Sequence, residues 1–207
     1  MKAAVNRVAD SVVRIETVGG LEKVDKVLVG TGPTTGVVVD PDGLIISSAF
    51  NFIQKPTSIL VTLPGGKRLA AEIVARDYSR KVVLLKVDVE EPLKVPTAIP
   101  RDEMQVGQWT IAVGRTFGDE YPNVSVGVLS ATNRIWGRAV QTDCKVSPAN
   151  YGGPLIDIQG RVFGILLPLS PQGTSETAGS EWYDSGIGFC VPLVDVFVVL
   201  DLSLIHI

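Results

Sequence analysis

The segment from Ser147 to Leu155 carries the spacing closest to chemistry in this chain of 207 residues. It reads Ser-Pro-Ala-Asn-Tyr-Gly-Gly-Pro-Leu and runs toward a hairpin turn at Gln159-Gly160. A loop of that kind presents backbone N–H groups, and on such turns acyl-transfer enzymes build an oxyanion hole. The hole serves catalysis only beside a nucleophile and a base. The sequence holds a single histidine, His206, one residue from its end. An imidazole base in a packed site would therefore have to come from that tail. Ser147 is a poor nucleophile because it precedes Pro148, and its hydroxyl is expected to cap the loop backbone. Cys144 and Cys190 lack the short spacing of a zinc site or a redox pair and are expected as buried core thiols. No metal, nucleotide or phosphate motif is visible, and no cofactor is expected.

The elements that must hold this loop are short strands. After a first helix expected over Lys2 to Asp10, apolar runs recur between turn signals such as Pro41-Asp42-Gly43 and Pro64-Gly65-Gly66. The runs are Ser11 to Val18, Thr35 to Asp40, Leu44 to Ser48, Ile59 to Leu63, Leu69 to Val74 and Val82 to Val87. A proline-rich linker, Glu90 to Asp102, follows. The pattern then restarts at Trp109 to Gly114, Val124 to Ala131, Ala139 to Thr142, Leu155 to Ile158, Val162 to Leu167 and Ile187 to Val191. Two sets of about six strands predict an all-β protein of two antiparallel barrels, residues 1–100 and 101–200. Ser170 to Ser185 reads as a long surface loop, and Leu193 to Leu200 as a closing helix. Residues 201–207 fit the pattern poorly and resemble translated adapter sequence, so they are expected to be an artefactual or disordered tail. If so, even His206 is not native.

Composition narrows the function classes. Hydrophobic residues make up 45% and charged residues 20% of the chain, which excludes a disordered polymer. A net charge of -3 offers no basic surplus for a phosphate backbone, so nucleic acid is excluded as a partner. No apolar run reaches the roughly 18 residues that a membrane-spanning helix needs.

Taken with the loop, further motifs carry a family resemblance. They are Gly30-Thr31-Gly32, Thr35-Gly36 through Ile46, Val106-Gly107 through Gly114 with Phe117-Gly118, Val126-Gly127 through Ala131, and Gly186 through Pro192. In this order the chain resembles trypsin-like serine proteases of the HtrA/Deg type over roughly Val12 to Leu193. The resemblance implies two six-stranded β-barrels and a serine, histidine and aspartate triad. Carried over residue by residue, the triad positions fall on Phe50 for the histidine, Lys81 for the aspartate and Tyr151 for the serine. The oxyanion loop falls on Ala149, Asn150, Tyr151 and Gly152, with alanine where the family has a glycine. Sliding the alignment brings Asn51 or Asp77 into place, but no slide produces a histidine before position 206.

A triad needs a base within reach of the nucleophile and a carboxylate to orient that base. Phenylalanine neither takes nor gives a proton, and a tyrosine hydroxyl lies farther from the backbone than a serine hydroxyl. A Lys81–Tyr151 dyad would need the two side chains to meet, and in the family's geometry Phe50 lies between them. An aromatic pair of Phe50 and Tyr151 plugging the old cleft is expected instead. The implied function is a pseudoprotease acting as a binding or scaffolding domain; the other reading is an active endopeptidase with a misassigned triad. The family holds peptides by strand addition, which falls here on Ile165, Leu166 and Leu167, with Pro168 removing one donor. The resemblance further implies protein or peptide partners, homo-oligomers, a PDZ domain after this one, and the bacterial periplasm or cell envelope. Cys144 and Cys190 fall on neighbouring segments near the family's primary specificity pocket, where side-chain contact is expected, as two thiols in preference to a disulfide.

Overall fold

The computed structural model describes residues 1–19, 23–24, 27–28, 33–53, 55–116, 121–169 and 185–204. The motifs at Gly30 to Gly32 and Phe117-Gly118, nearly all of the loop from Ser170 to Ser185, and His206 lie outside the described residues.

Helix α1 (Lys2–Ala9) leads into β1 (Val12–Val18). Two two-residue strands, β2 (Lys23–Val24) and β3 (Val27–Leu28), make a separate hairpin that the sequence did not signal. The first barrel then uses β4 (Thr34–Asp40), β5 (Leu44–Ser48), β6 (Ser58–Thr62), β7 (Arg68–Asp77) and β8 (Val82–Val87). With β1 these close in the order β1-β4-β5-β8-β7-β6. The second barrel contains β9 (Trp109–Gly114), β10 (Asn123–Arg134), β11 (Ala139–Thr142), β12 (Pro154–Ile156), β13 (Val162–Leu167) and β14 (Gly188–Pro192). These close in the order β10-β11-β14-β13-β12-β9. The described residues therefore form an all-β fold of two closed six-stranded antiparallel barrels with two short helices, as the strand spacing implies.

Three strand ends differ from the periodic pattern by two residues or more. β7 and β10 run past the apolar stretches because ladder pairing continues through polar residues, with Asp77 opposite Val82 and Arg134 opposite Ala139. β12 stops at Ile156 because Asp157 opens a tight turn. Its carboxylate accepts the N–H groups of Gln159 and Arg161 at 2.8 and 2.9 Å. Gly160 in that turn has φ of +83°, and a side chain there would meet the Ala4 carbonyl of α1 at 2.8 Å. Helix α1 is docked onto the same turn by Arg7, which donates to the Gln159 carbonyl at 2.9 Å.

Each barrel fills its own interior. Val13, Ile15, Val38, Ile45 and Leu85 pack the first, while Leu129, Val140, Leu155, Phe163 and Leu166 pack the second. A third cluster joins residues of both, including Val37, Ile46 and Leu84 with Ile111, Ile156 and Ile165, and takes in Val8 of α1 and Val196 of α2 (Leu193–Leu204). β13 is buried along its whole length because it serves both the second interior and this seam. The stretch expected as a linker is tied to both barrels. Leu93 donates to the Pro41 carbonyl at 2.8 Å, and Ile99, fully buried, donates to Val162 at 2.9 Å. Helix α2 continues beyond Leu200 to Leu204, into the segment expected as a tail, and residues 205–207 lie outside the described set. Among the described residues no helix is long and apolar enough to cross a membrane.

Candidate functional site

β5 ends at Ser48, where the chain tightens into one 3-10 turn, Ala49–Phe52. The Ser48 hydroxyl caps it by accepting the Phe50 N–H at 3.2 Å. The Ala49 N–H donates to the Lys81 carbonyl at 2.9 Å, which pins this turn to the residue just ahead of β8. Lys81 has φ of 58°, a left-handed conformation that costs an ordinary side chain energy. Preceding it, Asp77 organises the β7–β8 turn. One carboxylate oxygen accepts the N–H groups of Ser79 and Arg80 and the Ser79 hydroxyl, and the other meets the Arg80 guanidinium at 2.8 Å. Burial pushes the Asp77 carboxyl up, and the hydrogen bonds from Arg80 and Ser79 outweigh that, holding it below the usual carboxylate range.

The loop from Ser147 to Gly153 lies across the seam. The Ser147 carbonyl accepts the N–H groups of Asn150 and Tyr151 at 3.0 and 3.2 Å. The Asn150 side chain accepts the Ser147 N–H at 3.0 Å and donates to the Lys145 carbonyl at 3.0 Å. Capping is thus done by Asn150 and by backbone. The role expected for the Ser147 hydroxyl is filled by an amide that folds back on the start of the loop. Gly152 donates to Leu166 at 2.8 Å and Gly153 to Asn150 at 3.0 Å. Every N–H from Asn150 through Gly153 is consequently bonded to a protein carbonyl, whereas an oxyanion hole needs N–H groups left pointing at one unfilled position.

Gly152 is required by this crossing. Its φ is +78°, and a side chain would meet the Thr35 carbonyl at 2.2 Å and the Ser47 hydroxyl at 2.4 Å. The Tyr151 carbonyl accepts the Thr35 N–H at 3.3 Å and the Thr34 hydroxyl at 3.0 Å, so the loop is fastened to the first barrel.

Tyr151 itself is buried, 2% exposed, in the interior of the second barrel. Phe50, half-buried, packs its ring against it edge to face, with centroids 5.6 Å apart and planes at 75°. Phe50 also lines, with Lys81, a cavity of about 260 Å³ to whose wall Tyr151 does not contribute. Of the three positions singled out from the sequence, Phe50 and Tyr151 touch, and Phe50 and Lys81 share a cavity. Sequence reasoning passed over Lys55, Arg76 and Tyr78, which line the same cavity together with Pro168. The signal available for them was their place beside the Phe50 and Lys81 motifs.

The strand expected to hold peptides is occupied on both edges. Ile165, Leu166 and Leu167 pair with Val191, Cys190 and Phe189 of β14 on one side. On the other, Leu166 donates to Gly153 at 2.9 Å and accepts from Gly152, and the Leu167 carbonyl accepts the Leu169 N–H at 2.9 Å across Pro168. Cys144 and Cys190 lie fully buried in the second interior as free thiols. Burial, and next the neighbouring Cys144, push the Cys190 thiol strongly up. No group of three metal-ligating side chains occurs among the described residues.

Known proteins agree with the architecture. The family described as the trypsin-like peptidase domain matches residues 34–165, more than half of the chain. A probable periplasmic serine endoprotease DegP-like of Rickettsia conorii is 30% identical over 181 residues, covering 83% of this chain and 34% of its own length. The similarly named protein of Halomonas elongata is 38% identical over 136 residues, 63% of this chain and 28% of the relative. The serine protease Do-like HtrA of Lactococcus lactis is 30% identical over 181 residues, 81% of this chain and 43% of the relative. The chain thus spans less than half the length of these relatives. Among solved structures, an HtrA-type protease with tripeptide superposes with a TM-score of 0.77 at 24% identity, over 97% of this chain and 62% of that one, which speaks for the fold. The chain belongs to the trypsin-like peptidase domain family, as a domain of HtrA type.

Proposed function

We propose that this chain is a protease-fold domain without proteolytic chemistry, a pseudoprotease that works by binding. The observation that carries the reading is the edge-to-face contact of Phe50 and Tyr151 at 5.6 Å, where the family's triad would need a base and a nucleophile. Phenylalanine supplies neither proton nor lone pair, and Tyr151 is packed into a barrel interior. The Tyr151 N–H, at the nucleophile position of the oxyanion loop, is already bonded to the Ser147 carbonyl, which supports the same reading. Asp77, the nearest carboxylate by a shifted alignment, is committed to Arg80 and its own turn.

Its partners are protein or peptide segments, and its location is the periplasm or cell envelope, by kinship with relatives named periplasmic endoproteases. Capture of a peptide by strand addition along Ile165 to Leu167 is disfavoured, because the main-chain groups named above are already paired. Binding therefore falls to side chains around the cleft. Incubation with unfolded casein tests the central claim: the chain is expected to release no peptides. Turnover that survives inhibitors of contaminating proteases and is lost in Tyr151→Phe would overturn the reading and favour an active endopeptidase.

A further inference from the structure

The cavity beside Phe50 has a chemical character of its own. It lies between the turn after β5, the β7–β8 turn and Pro168, and its volume is about 260 Å³. Phe50, Phe52 and Pro168 give it an apolar lining, and Tyr78, 75% exposed, adds an aromatic ring. Three cations also line it, Lys55, Arg76 and Lys81, against the single carboxylate of Asp77. Arg80, which is outside the lining, pairs with that carboxylate at 2.8 Å. Arg76 reaches across to the Phe52 carbonyl at 3.5 Å, a long bond that leaves most of its five donors unspent. Among the described residues, neither Arg76 nor Lys55 has a carboxylate partner.

A ligand matching this lining has two parts. An apolar body replaces water on Phe50 and Ile53, the accessible apolar side chains of the lining. An anionic head takes charge-assisted hydrogen bonds from the cations, which are about twice as strong as neutral ones. A cationic ligand would meet repulsion, and a neutral one would give Arg76 and Lys55 no anionic partner. The volume suits one aromatic or branched group carrying a short acid. We propose that this cavity is a binding site for an apolar carboxylate, its body on Phe50 and Ile53 and its head on Arg76 and Lys55. The proposal rests on reading the cleft as a binding surface and not a catalytic one. The carboxylate belongs either to a free acid or to the end of a peptide.

Phenylpropionate and its neutral isostere phenylpropionamide, titrated into the whole chain by calorimetry and backbone-amide NMR, test it. The acid is expected to bind about tenfold more tightly than the amide, with a gap that narrows at high salt. Arg76→Gln and Lys55→Gln should each weaken the acid several-fold while leaving the amide unchanged, with undisturbed spectra elsewhere reporting an intact fold. A tripeptide ending in phenylalanine, with free or amidated terminus, separates the sources: a gap wider than that of phenylpropionate assigns the site to peptide ends, and a narrower one to free acids. Equal binding of acid and amide, indifference of the acid to both substitutions, or no binding at millimolar acid would overturn the proposal. Proteolysis by the unmodified chain would instead sink the pseudoprotease reading, and a flat titration without proteolysis would remove this site alone.

Discussion

The pseudoprotease proposal rests on what Phe50 and Tyr151 lack, and the energetics of the pair are testable one side chain at a time. Tyr151 is buried in the second interior, so Tyr151→Ala is expected to cost about 3–5 kcal/mol in urea unfolding. Phe50, half-buried, should cost less. A double-mutant cycle should return a coupling of about 0.5–1.5 kcal/mol for the edge-to-face pair. Additive losses would mean that the rings merely coincide. Asp77 makes a pH-dependent contribution of known sign. Its folded-state pKa is depressed, so the stability it adds is present above the unfolded carboxyl's pKa and fades as pH falls through the folded one. Asp77→Asn should therefore lower stability at neutral pH and flatten the acid limb of the stability curve. The identities of Phe50, Lys81 and Tyr151 were legible in the sequence because residue type alone fixes protonation chemistry. The direction of the loop N–H groups was not, since it depends on which carbonyls the fold brings beside Asn150 to Gly153.

At the scale of elements, turn chemistry made most strands legible: Pro41-Asp42-Gly43 separates β4 from β5, and the turn around Gln159-Gly160 separates β12 from β13. Boundaries failed where pairing outlasts hydrophobicity, as at Arg76-Asp77 in β7 and Asn133-Arg134 in β10. The closure of β13 on both edges was hidden too, because Pro168 signals only a missing donor and not the bond from Leu169 to Leu167 across it. The loop that crosses the seam depends on Gly152, where positive φ and a close approach to Thr35 coincide. Gly152→Ala should cost at least about 1–3 kcal/mol and shift the amide signals of Thr35 and Ser48. A neutral effect would mean that the loop sits away from β4. β14 carries Cys190 into the interior, where burial keeps it a thiol. Neither cysteine should react with a thiol reagent at neutral pH until the barrels unfold.

For the whole molecule, the two barrels share a third core that also takes in α1 and α2, so they should unfold together. Tryptophan fluorescence, whose three indoles all lie after residue 108, should give the same midpoint as far-UV circular dichroism, which reports both barrels. Separate midpoints would mean that the seam contributes little. The Phe50–Tyr151 pair and the bonded loop from Ser147 to Gly153 lie at the same seam, and on the pseudoprotease proposal they fill the cleft that hydrolysis would need. The claim that no activated nucleophile remains is tested most directly by treating the intact chain with a fluorophosphonate probe and measuring its mass, beside trypsin treated alike. The mass is expected to stay unchanged while trypsin gains one adduct; a stoichiometric adduct on Ser147, Tyr151 or any other hydroxyl, abolished by unfolding the chain first, would contradict the account.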